Sequence, residues 1–498
     1  MTGTVTLVGA GPGDKGLLTI AGAQAIAQAD AVVYDRLVGE DILDLIPPHA
    51  EKISVGKENH HHPVPQEQIN EILVRLAREG KNVVRLKGGD CFLFGRGGEE
   101  CEYLLANSVP FRVIPGVTSA LAAPAFAGIP VTHRDCTSSV HIITAHARAG
   151  KPLQIDFDAL VRLDGTLVFL MGLTALEQVT DGLLCAGMPS DLPSAVIENG
   201  ARGTQRKVVC GLSDLAANVR AAGLQSPALI VVGQVCALSD QLDWFTPLPL
   251  HGKTIVVTRP KARAGTLAEK LRRLGANVIE APCIETVERE DTKPLADALQ
   301  QSHDWAVFTS PAGVLSAVDA LRRLGRDLRA LYGMKLAAIG KGTADALSAY
   351  GLTADLVPAQ YDGEHLADAL IGVMPQDGSA LLLRAKQGGQ ILPEKLAAVG
   401  IRVTDVPLYD TVHRCDKADM LRGLLADGKI DAATFTSVST VEGFVEAVGA
   451  DCTGFTACCI GEQTASAAKR YYNNVKIAKN ATIDDLVTCI EEEINHVQ

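Results

Sequence analysis

Short apolar runs that end in glycine-rich polar turns recur along the chain, and they set out its elements. Val5 to Val8 reads as a buried strand, followed by Gly9-Ala10-Gly11-Pro12-Gly13-Asp14 and a helix from about Leu18 to Gln28. The next strand, Ala31 to Tyr34, ends at Asp35, so the chain opens as a β-loop-α-β unit of the doubly wound kind. Val83 to Leu86 is a further apolar strand. It breaks at Gly88-Gly89-Asp90 and is followed by Phe92, Leu93, Phe94 and a second glycine turn carrying Arg96, Gly97, Gly98 and Glu99. Ile114 to Ala120, IPGVTSA, predicts a rigid turn feeding a small-residue helix and linking two αβ lobes. Thr166 to Leu170, ending at Met171-Gly172, and Leu229 to Val232, entered through Pro227-Ala228, are strands of the second lobe.

Leu242 to Gly252, LDWFTPLPLHG, has no helical periodicity and reads as a linker, so a boundary is expected over 242–251. Beyond it lies an internal repeat. Phe308-Thr309-Ser310 followed by Ile339-Gly340-Lys341-Gly342-Thr343-Ala344 is echoed by Phe435-Thr436-Ser437 followed by Ile460-Gly461-Glu462-Gln463-Thr464-Ala465. The strand Ile255 to Thr258, ending at Arg259, likewise matches Leu381 to Leu383, ending at Arg384. The order predicts two similar αβ lobes, one continuous over about 286–406 and one assembled from about 252–285 and 410–498. The chain would cross between them near Pro282 to Val287 and again near Pro407 to Thr411.

A chain of 498 residues implies about three or four domains. Its net charge of −12 counts against a general nucleic-acid binder and against an anionic-membrane binder. An acidic ligand must therefore be met by local cations. The 12 cysteines show no CxxC spacing and fit free thiols in a reducing compartment. With no apolar stretch long enough to span a bilayer and no export-signal pattern, the expectation is a cytoplasmic protein.

Several stretches carry candidate chemistry. Paired glycines at Gly88-Gly89 let backbone approach a ligand closely, Asp90 can accept from ribose hydroxyls or an amine, and Arg96 can grip an anion. Gly11, Gly13 and Gly16 fit GxGxxG with Asp35 as the ribose acid, the pattern of a nicotinamide enzyme. Asp14 and Pro12 oppose that reading, because one sets a carboxylate beside the pyrophosphate and the other removes an amide donor. His60, His61 and His62 form a loop tripeptide without convergent ligands, so no metal site is expected. In the repeat, Ser310, Thr343, Ser437 and Thr464 stand where strands pass into helices, whose free amides cap through hydroxyls or bind carboxylates.

The segment Val83 to Glu100, VVRLKGGDCFLFGRGGEE, resembles the central motif of the uroporphyrinogen-III C-methyltransferases, although Cys91 stands where that family has proline. Gly9 to Asp14 with Leu17, Leu18 and Thr19, Tyr34 to Leu37, Val55-Gly56-Lys57, Gly128 to Arg134 and Glu198-Asn199-Gly200 keep the same register. The resemblance implies an α/β tetrapyrrole-methylase fold of two lobes, about 1–114 and 115–241, using S-adenosylmethionine and acting as a homodimer. It places Pro12, Gly88, Gly89, Asp90, Leu93, Thr118, Ser119, Met171, Gly200 and Ala228 at the cofactor. Asp35, Lys57, Arg96 and Glu99 would handle protons and hold the macrocycle. The remainder of the chain resembles uroporphyrinogen-III synthase, a two-lobed αβ fold with a double crossover and no cofactor. Tyr409 would be catalytic there, with Arg259, Ser310, Thr343, Ser437 and Thr464 lining the cleft. Together these imply a bifunctional enzyme that takes hydroxymethylbilane to uroporphyrinogen III and methylates it to precorrin-2. The alternatives are a nicotinamide dehydrogenase fused to another module, and a non-catalytic two-lobed ligand sensor.

Overall fold

The computed structural model describes residues 2–56, 64–146, 153–450 and 452–495, the side chains of 261–264 and 495 excepted. Lys57, Glu58 and the three histidines lie outside the described residues. The chain divides into two compact units, Met1–Ile255 with Glu269–Ile279 and Val256–Ala268 with Glu280–Gln498.

The first unit opens on five strands, β1 (Val5–Gly9), β2 (Ala31–Tyr34), β3 (Glu51–Ser54), β4 (Val83–Lys87) and β5 (Phe111–Ile114). They pair in the order β3-β2-β4-β1-β5, all parallel. Parallel neighbours need long crossovers, which the helices Ile20–Ala27, Gln66–Arg78 and Gly97–Ala106 help to supply. This order inserts β4 between β1 and β2, which are direct neighbours in the dinucleotide fold. The glycine loop after β1 also fails to open a helix: Lys15–Leu17 is a single 3-10 turn, and the helix starts at Ile20 under a Thr19 cap. Instead the loop pairs with the central motif, Gly11 and Gly89 exchanging backbone hydrogen bonds of 3.1 and 2.7 Å. Gly89 holds φ +68 there.

One local expectation changes. Gly97, Gly98 and Glu99 form the first turn of the helix Gly97–Ala106 rather than a free glycine turn. Gly97 sits where a Cβ would lie 2.6 Å from the Cys91 carbonyl oxygen, so close packing of the helix start requires a residue of poor helix propensity. Glu99 and Glu100 in that first turn favour the helix dipole.

A second sheet follows: β6 (Val140–Thr144), β7 (Thr166–Leu170), β8 (Pro193–Glu198), β9 (Arg206–Gly211) and β10 (Ala228–Val232), in the order β6-β7-β10-β8-β9. Only β6 and β7 run parallel; the rest are antiparallel. The helix Ser119–Phe126 packs Ala120 and Ala123 against Val168, Ile197 and Leu229 of this sheet. Its small residues allow close approach, and a Cβ at Gly200 would lie only 2.1 Å from that of Ala123.

Ten further strands build two more sheets: β11 (Thr254–Val257), β12 (Asn277–Glu280), β13 (Ile284–Glu288), β14 (Trp305–Phe308), β15 (Lys335–Ala338), β16 (Ser379–Ala385), β17 (Arg402–His413), β18 (Ala432–Phe435), β19 (Thr456–Cys459) and β20 (Val475–Ile477). The orders are β12-β11-β18-β19-β20 and β13-β17-β16-β14-β15. The repeat seen in the sequence is a repeat of structure. β14 passes through Ser310 into the helix Pro311–Arg323 and on to β15, as β18 passes through Ser437 into Val438–Val448 and on to β19. The chain passes between the sheets at Ala281–Cys283 and again after the twelve-residue β17, whose later half pairs antiparallel with β13.

Gly443, inside the helix Val438–Val448, is fixed by the first of these passages, because a Cβ there would lie 2.3 Å from the Cys283 carbonyl oxygen. Gly443→Ala should cost about 1–3 kcal/mol by overpacking against backbone. Gly423→Ala, in the helix Ala418–Ala426 with nothing within 4 Å of its Cβ, should instead gain up to about 1 kcal/mol of helix propensity. Denaturant titration of the two variants beside the parent measures both signs.

Candidate active sites

A cleft of about 550 Å³ opens in the first unit between its two sheets. The loops after β1, β2 and β4 line it from one side, through Pro12, Asp35 to Leu37, Gly88 and Leu93 to Arg96. The ends of β7 and β8 and the start of β10 line it from the other, through Leu170, Met171, Asn199, Gly200 and Ser226 to Leu229. Four of the seven non-glycine residues with positive φ among those described, Phe94, Arg96, Met171 and Asn199, lie on this lining. Strained backbone gathers at functional sites, where the surrounding structure imposes it.

The deepest part of the wall is ionic. In a parallel sheet a central strand is normally aliphatic throughout. β4 instead turns Val84 and Leu86 into one apolar cluster and, two residues apart on the opposite face, Arg85 and Lys87 toward Glu100 of the following helix. Arg85 Nη2 meets Asp35 Oδ1 at 2.6 Å, and its Nε meets Glu100 Oε1 at 3.1 Å. Lys87 Nζ lies 2.9 Å from the same Glu100 oxygen and 3.9 Å from Asp35 Oδ2. Gln66 Nε2 donates to Glu100 Oε1 as well, at 3.1 Å. Glu100 is fully buried. Burial pushes its carboxyl up, but Arg85 and Lys87, with the hydrogen bonds from Lys87 and Gln66, outweigh this and hold it below its ordinary value. Burial likewise pulls Arg85 down, and Asp35 and Glu100 more than restore it.

Of the expected cofactor residues, Pro12, Gly88, Leu93, Ser119, Met171, Gly200 and Ala228 line the cleft. Gly89, Asp90 and Thr118 stand behind it. Asp90 Oδ1 accepts the backbone N–H groups of Phe92 and Leu93 at 2.8 and 3.1 Å, and Oδ2 accepts that of Gly116 at 3.0 Å. Its carboxylate thus organises the loop and ties it to the turn after β5. Thr118 caps the helix Ser119–Phe126. Asp35 and Arg96 are on the lining, while Glu99 lies off it, exposed and 3.5 Å from Arg96 Nε.

In the second unit the repeated hydroxyls are caps. Ser310 Oγ accepts from Gly313 N at 2.9 Å, and Ser437 Oγ from Thr440 N at 3.3 Å in a reciprocal capping box. At the other pair of helices the cap is glycine, Gly340 and Gly461, and Thr343 and Thr464 are buried in the first turn. Tyr409, on β17, is buried and its hydroxyl lies 2.8 Å from Ser310 Oγ. Arg259 follows β11 half-buried. Its counterpart Arg384 is almost fully buried, bonded by both arms to Asp405 at 2.9 and 2.5 Å and to the Gly389 carbonyl at 2.6 Å. Among the described residues no three His, Cys, Asp or Glu side chains gather as a metal site, and no helix is long and apolar enough to cross a membrane.

The tetrapyrrole (corrin/porphyrin) methylases match residues 4–216, and uroporphyrinogen-III synthase HemD matches residues 265–488. The porphyrin biosynthesis protein HemD of Ruminiclostridium josui is 46% identical over 488 residues, covering 97% of each chain. The chain belongs to the HemD family. It is an enzyme with two activities, a tetrapyrrole methyltransferase joined to a uroporphyrinogen-III synthase. Siroheme synthase 2 of Yersinia enterocolitica is 51% identical over 252 residues, which is 51% of this chain and 52% of that protein. Among solved structures, a uroporphyrin-III C-methyltransferase of Thermus thermophilus complexed with S-adenyl homocysteine is 38% identical, with a TM-score of 0.41, over 47% of this chain and all of that one. Nothing in these likenesses supports a dehydrogenase.

Within this HemD-family chain, reading by motif missed Arg85, Lys87 and Glu100 as a group. The available signal was two cations at i and i+2 in a strand otherwise apolar, with acids at the start of the next helix. Their removal should be costly. Glu100→Gln keeps the shape but leaves Arg85 and Lys87 with Asp35 alone, and breaking a buried pair commonly costs about 3–5 kcal/mol. Because the folded carboxyl lies below its ordinary value, its contribution is complete above the carboxylate range and is lost as pH falls through the lowered value. Thermal melts from pH 7 down to pH 3 should show the parent's first-unit transition falling with acid, and that of Glu100→Gln lower throughout and flatter.

Proposed function

We propose that the second half closes hydroxymethylbilane to uroporphyrinogen III and that the first half methylates this product at C2 and C7 with S-adenosylmethionine, giving precorrin-2. The observation that carries the methylase reading is the charge of the cleft. In a chain of net charge −12, its lining holds Arg36, Arg96 and Arg202 in addition to Arg85 and Lys87, which Asp35 and Glu100 balance. A polycarboxylate macrocycle needs such a local field.

The cofactor fits the lining. Leu170, Ile197 and Leu229 offer an apolar wall, while Met171 and Asn199, both at positive φ, bring backbone to the surface beside them. When bound, S-adenosylmethionine supplies a methyl group on a sulfonium, which a reduced pyrrole carbon can attack. The protein's part is to align the two reactants and take up a proton. Pro12, Gly88, Leu93, Ser119, Gly200 and Ala228 shape the cofactor side, and Asp90 holds the loop that carries Leu93. Asp35, fixed through Oδ1 by Arg85, receives the proton at Oδ2. Arg36 and Arg96 meet acid side chains of the macrocycle at the rim, with Glu99 steadying Arg96. Lys57 follows β3 and belongs by motif to the same proton path. The methylase half pairs with a second copy, as the family resemblance implies.

In the synthase half, the helix starts at Ser310, Thr343, Ser437 and Thr464, with Arg259, receive the carboxylates of the linear tetrapyrrole. Tyr409, joined to Ser310, assists the departing hydroxyl. The domains divide at 242–251, with synthase lobes of about 252–285 plus 410–498 and about 286–406.

Incubation with hydroxymethylbilane, with and without S-adenosylmethionine, tests the whole reading. The expected products are uroporphyrinogen III alone and precorrin-2, respectively; the type I isomer alone would remove the synthase assignment, and uroporphyrinogen III unchanged by the cofactor the methylase one. Tyr409→Phe tests the proton donor. General-acid help is worth about a hundred-fold to ten-thousand-fold, the low end applying to a good leaving group, so the rate should fall and the type I fraction rise in isomer analysis of the oxidised porphyrins.

A further inference from the structure

Arg202 is a half-buried cation to which, among the described residues, no carboxylate is bound. It follows β8 and the turn Asn199 to Ala201 on one side of the first-unit cleft and reaches across to the other. Its Nε donates to the Pro12 carbonyl at 3.4 Å and its Nη2 to the Leu37 carbonyl at 3.2 Å. Both are long for a charged donor, which commonly comes within about 2.9 Å. Gly13 makes room for it, since a Cβ there would lie 2.2 Å from Arg202 Nε.

The other buried cations of the cleft are answered by Asp35 and Glu100, and Arg96 by Glu99. Among the described residues the acid that acts on Arg202 is Asp41, through space, and Asp41 takes Arg272 at 2.8 Å. Burial therefore leaves its guanidinium below its ordinary value. A partly desolvated cation without a bound counter-ion is costly to keep, and Arg202 keeps part of its planar fork of donors uncommitted on the lining of a ligand cleft.

We propose that Arg202 is a carboxylate-binding residue of the methylase cleft, its free face gripping an acid group of the bound ligand while the carbonyls of Pro12 and Leu37 hold it across the opening. This rests on the methylase reading above and adds a contact to it. The acid can come from two sources, the side chains of the macrocycle or the amino-acid end of S-adenosylmethionine. Both present the same carboxylate geometry to the fork.

The test uses the full chain with Arg202→Gln and Arg202→Lys. S-adenosylhomocysteine and uroporphyrin III, the oxidised macrocycle, are each titrated calorimetrically, and the KM for each methylation substrate is measured alongside. Loss of a charged hydrogen bond predicts a roughly tenfold to hundredfold weakening for Arg202→Gln. If the macrocycle supplies the acid, uroporphyrin III affinity falls and its KM rises while S-adenosylhomocysteine binds as before; if the cofactor does, the two exchange places. Arg202→Lys, which keeps the charge and loses the fork, should recover only part. Affinities and KM values all within twofold of the parent would overturn the inference. So would an equal loss of both ligands together with a lowered melting temperature, since that marks a brace between the sheets. A parent chain that binds neither ligand would fail the methylase reading itself, and this inference with it, whereas a parent that methylates while Arg202→Gln matches it fails this inference alone.

Discussion

The methylase cleft depends on four charges placed side by side under its floor. Asp35, Arg85, Lys87 and Glu100 come from the end of β2, from β4 and from the helix Gly97–Ala106, and their bonds of 2.6 to 3.1 Å join those three elements at one point. Each buried charge would be expensive alone; together the four sum to zero, with Glu100 Oε2 left without a hydrogen-bond partner among the described residues. The arrangement fixes which way the loops after β2 and β4 leave the sheet. Those loops carry Arg36, Gly88, Leu93 and Arg96 to the lining, so the ionic floor and the reactive wall are parts of one construction.

Above that floor the loops are held by backbone. Gly11 and Gly89 bond to each other, and Asp90 ties its own turn to Gly116. Three loops that follow three different strands are thus joined to one another. Such a mounting suits methyl transfer, which gains chiefly from alignment of donor and acceptor. The cleft floor supplies charge, and the glycine contacts supply position.

Much of this was legible in the sequence, and the failures have physical causes. The strands Ala31–Tyr34 and Thr166–Leu170 stand as their apolar runs predict, and the repeat beyond Lys253 becomes two sheets with matching strand-to-helix passages. The start of the helix at Gly97 was hidden because glycine argues locally for a turn, while the contact that demands glycine, the Cys91 carbonyl, comes from the loop just before it. Asp90 is a ligand candidate by its motif, and what composition does not disclose is that three backbone amides already donate to its carboxylate. Arg202 carries no motif at all. Its place is set by the crossing from one sheet to the other, which no spacing along the chain encodes.

The synthase half is duplicated in fold but not in chemistry. Ser310 and Ser437 are equivalent caps at equivalent helices, yet Ser310 meets a phenol on β17 while Ser437 closes on Ser439 and Thr440 of its own turn. Arg384 is almost fully buried against Asp405, and its counterpart Arg259 is only half-buried. The pseudo-twofold relation is broken at these positions, although the glycine caps Gly340 and Gly461 and the buried Thr343 and Thr464 keep it. A cavity with true twofold symmetry could not tell the head of a linear molecule from its tail, and would bind it equally well in either direction. By spoiling its own symmetry at these two positions, the repeat acquires polarity, which any reaction that treats one end of a chain differently from the other must have.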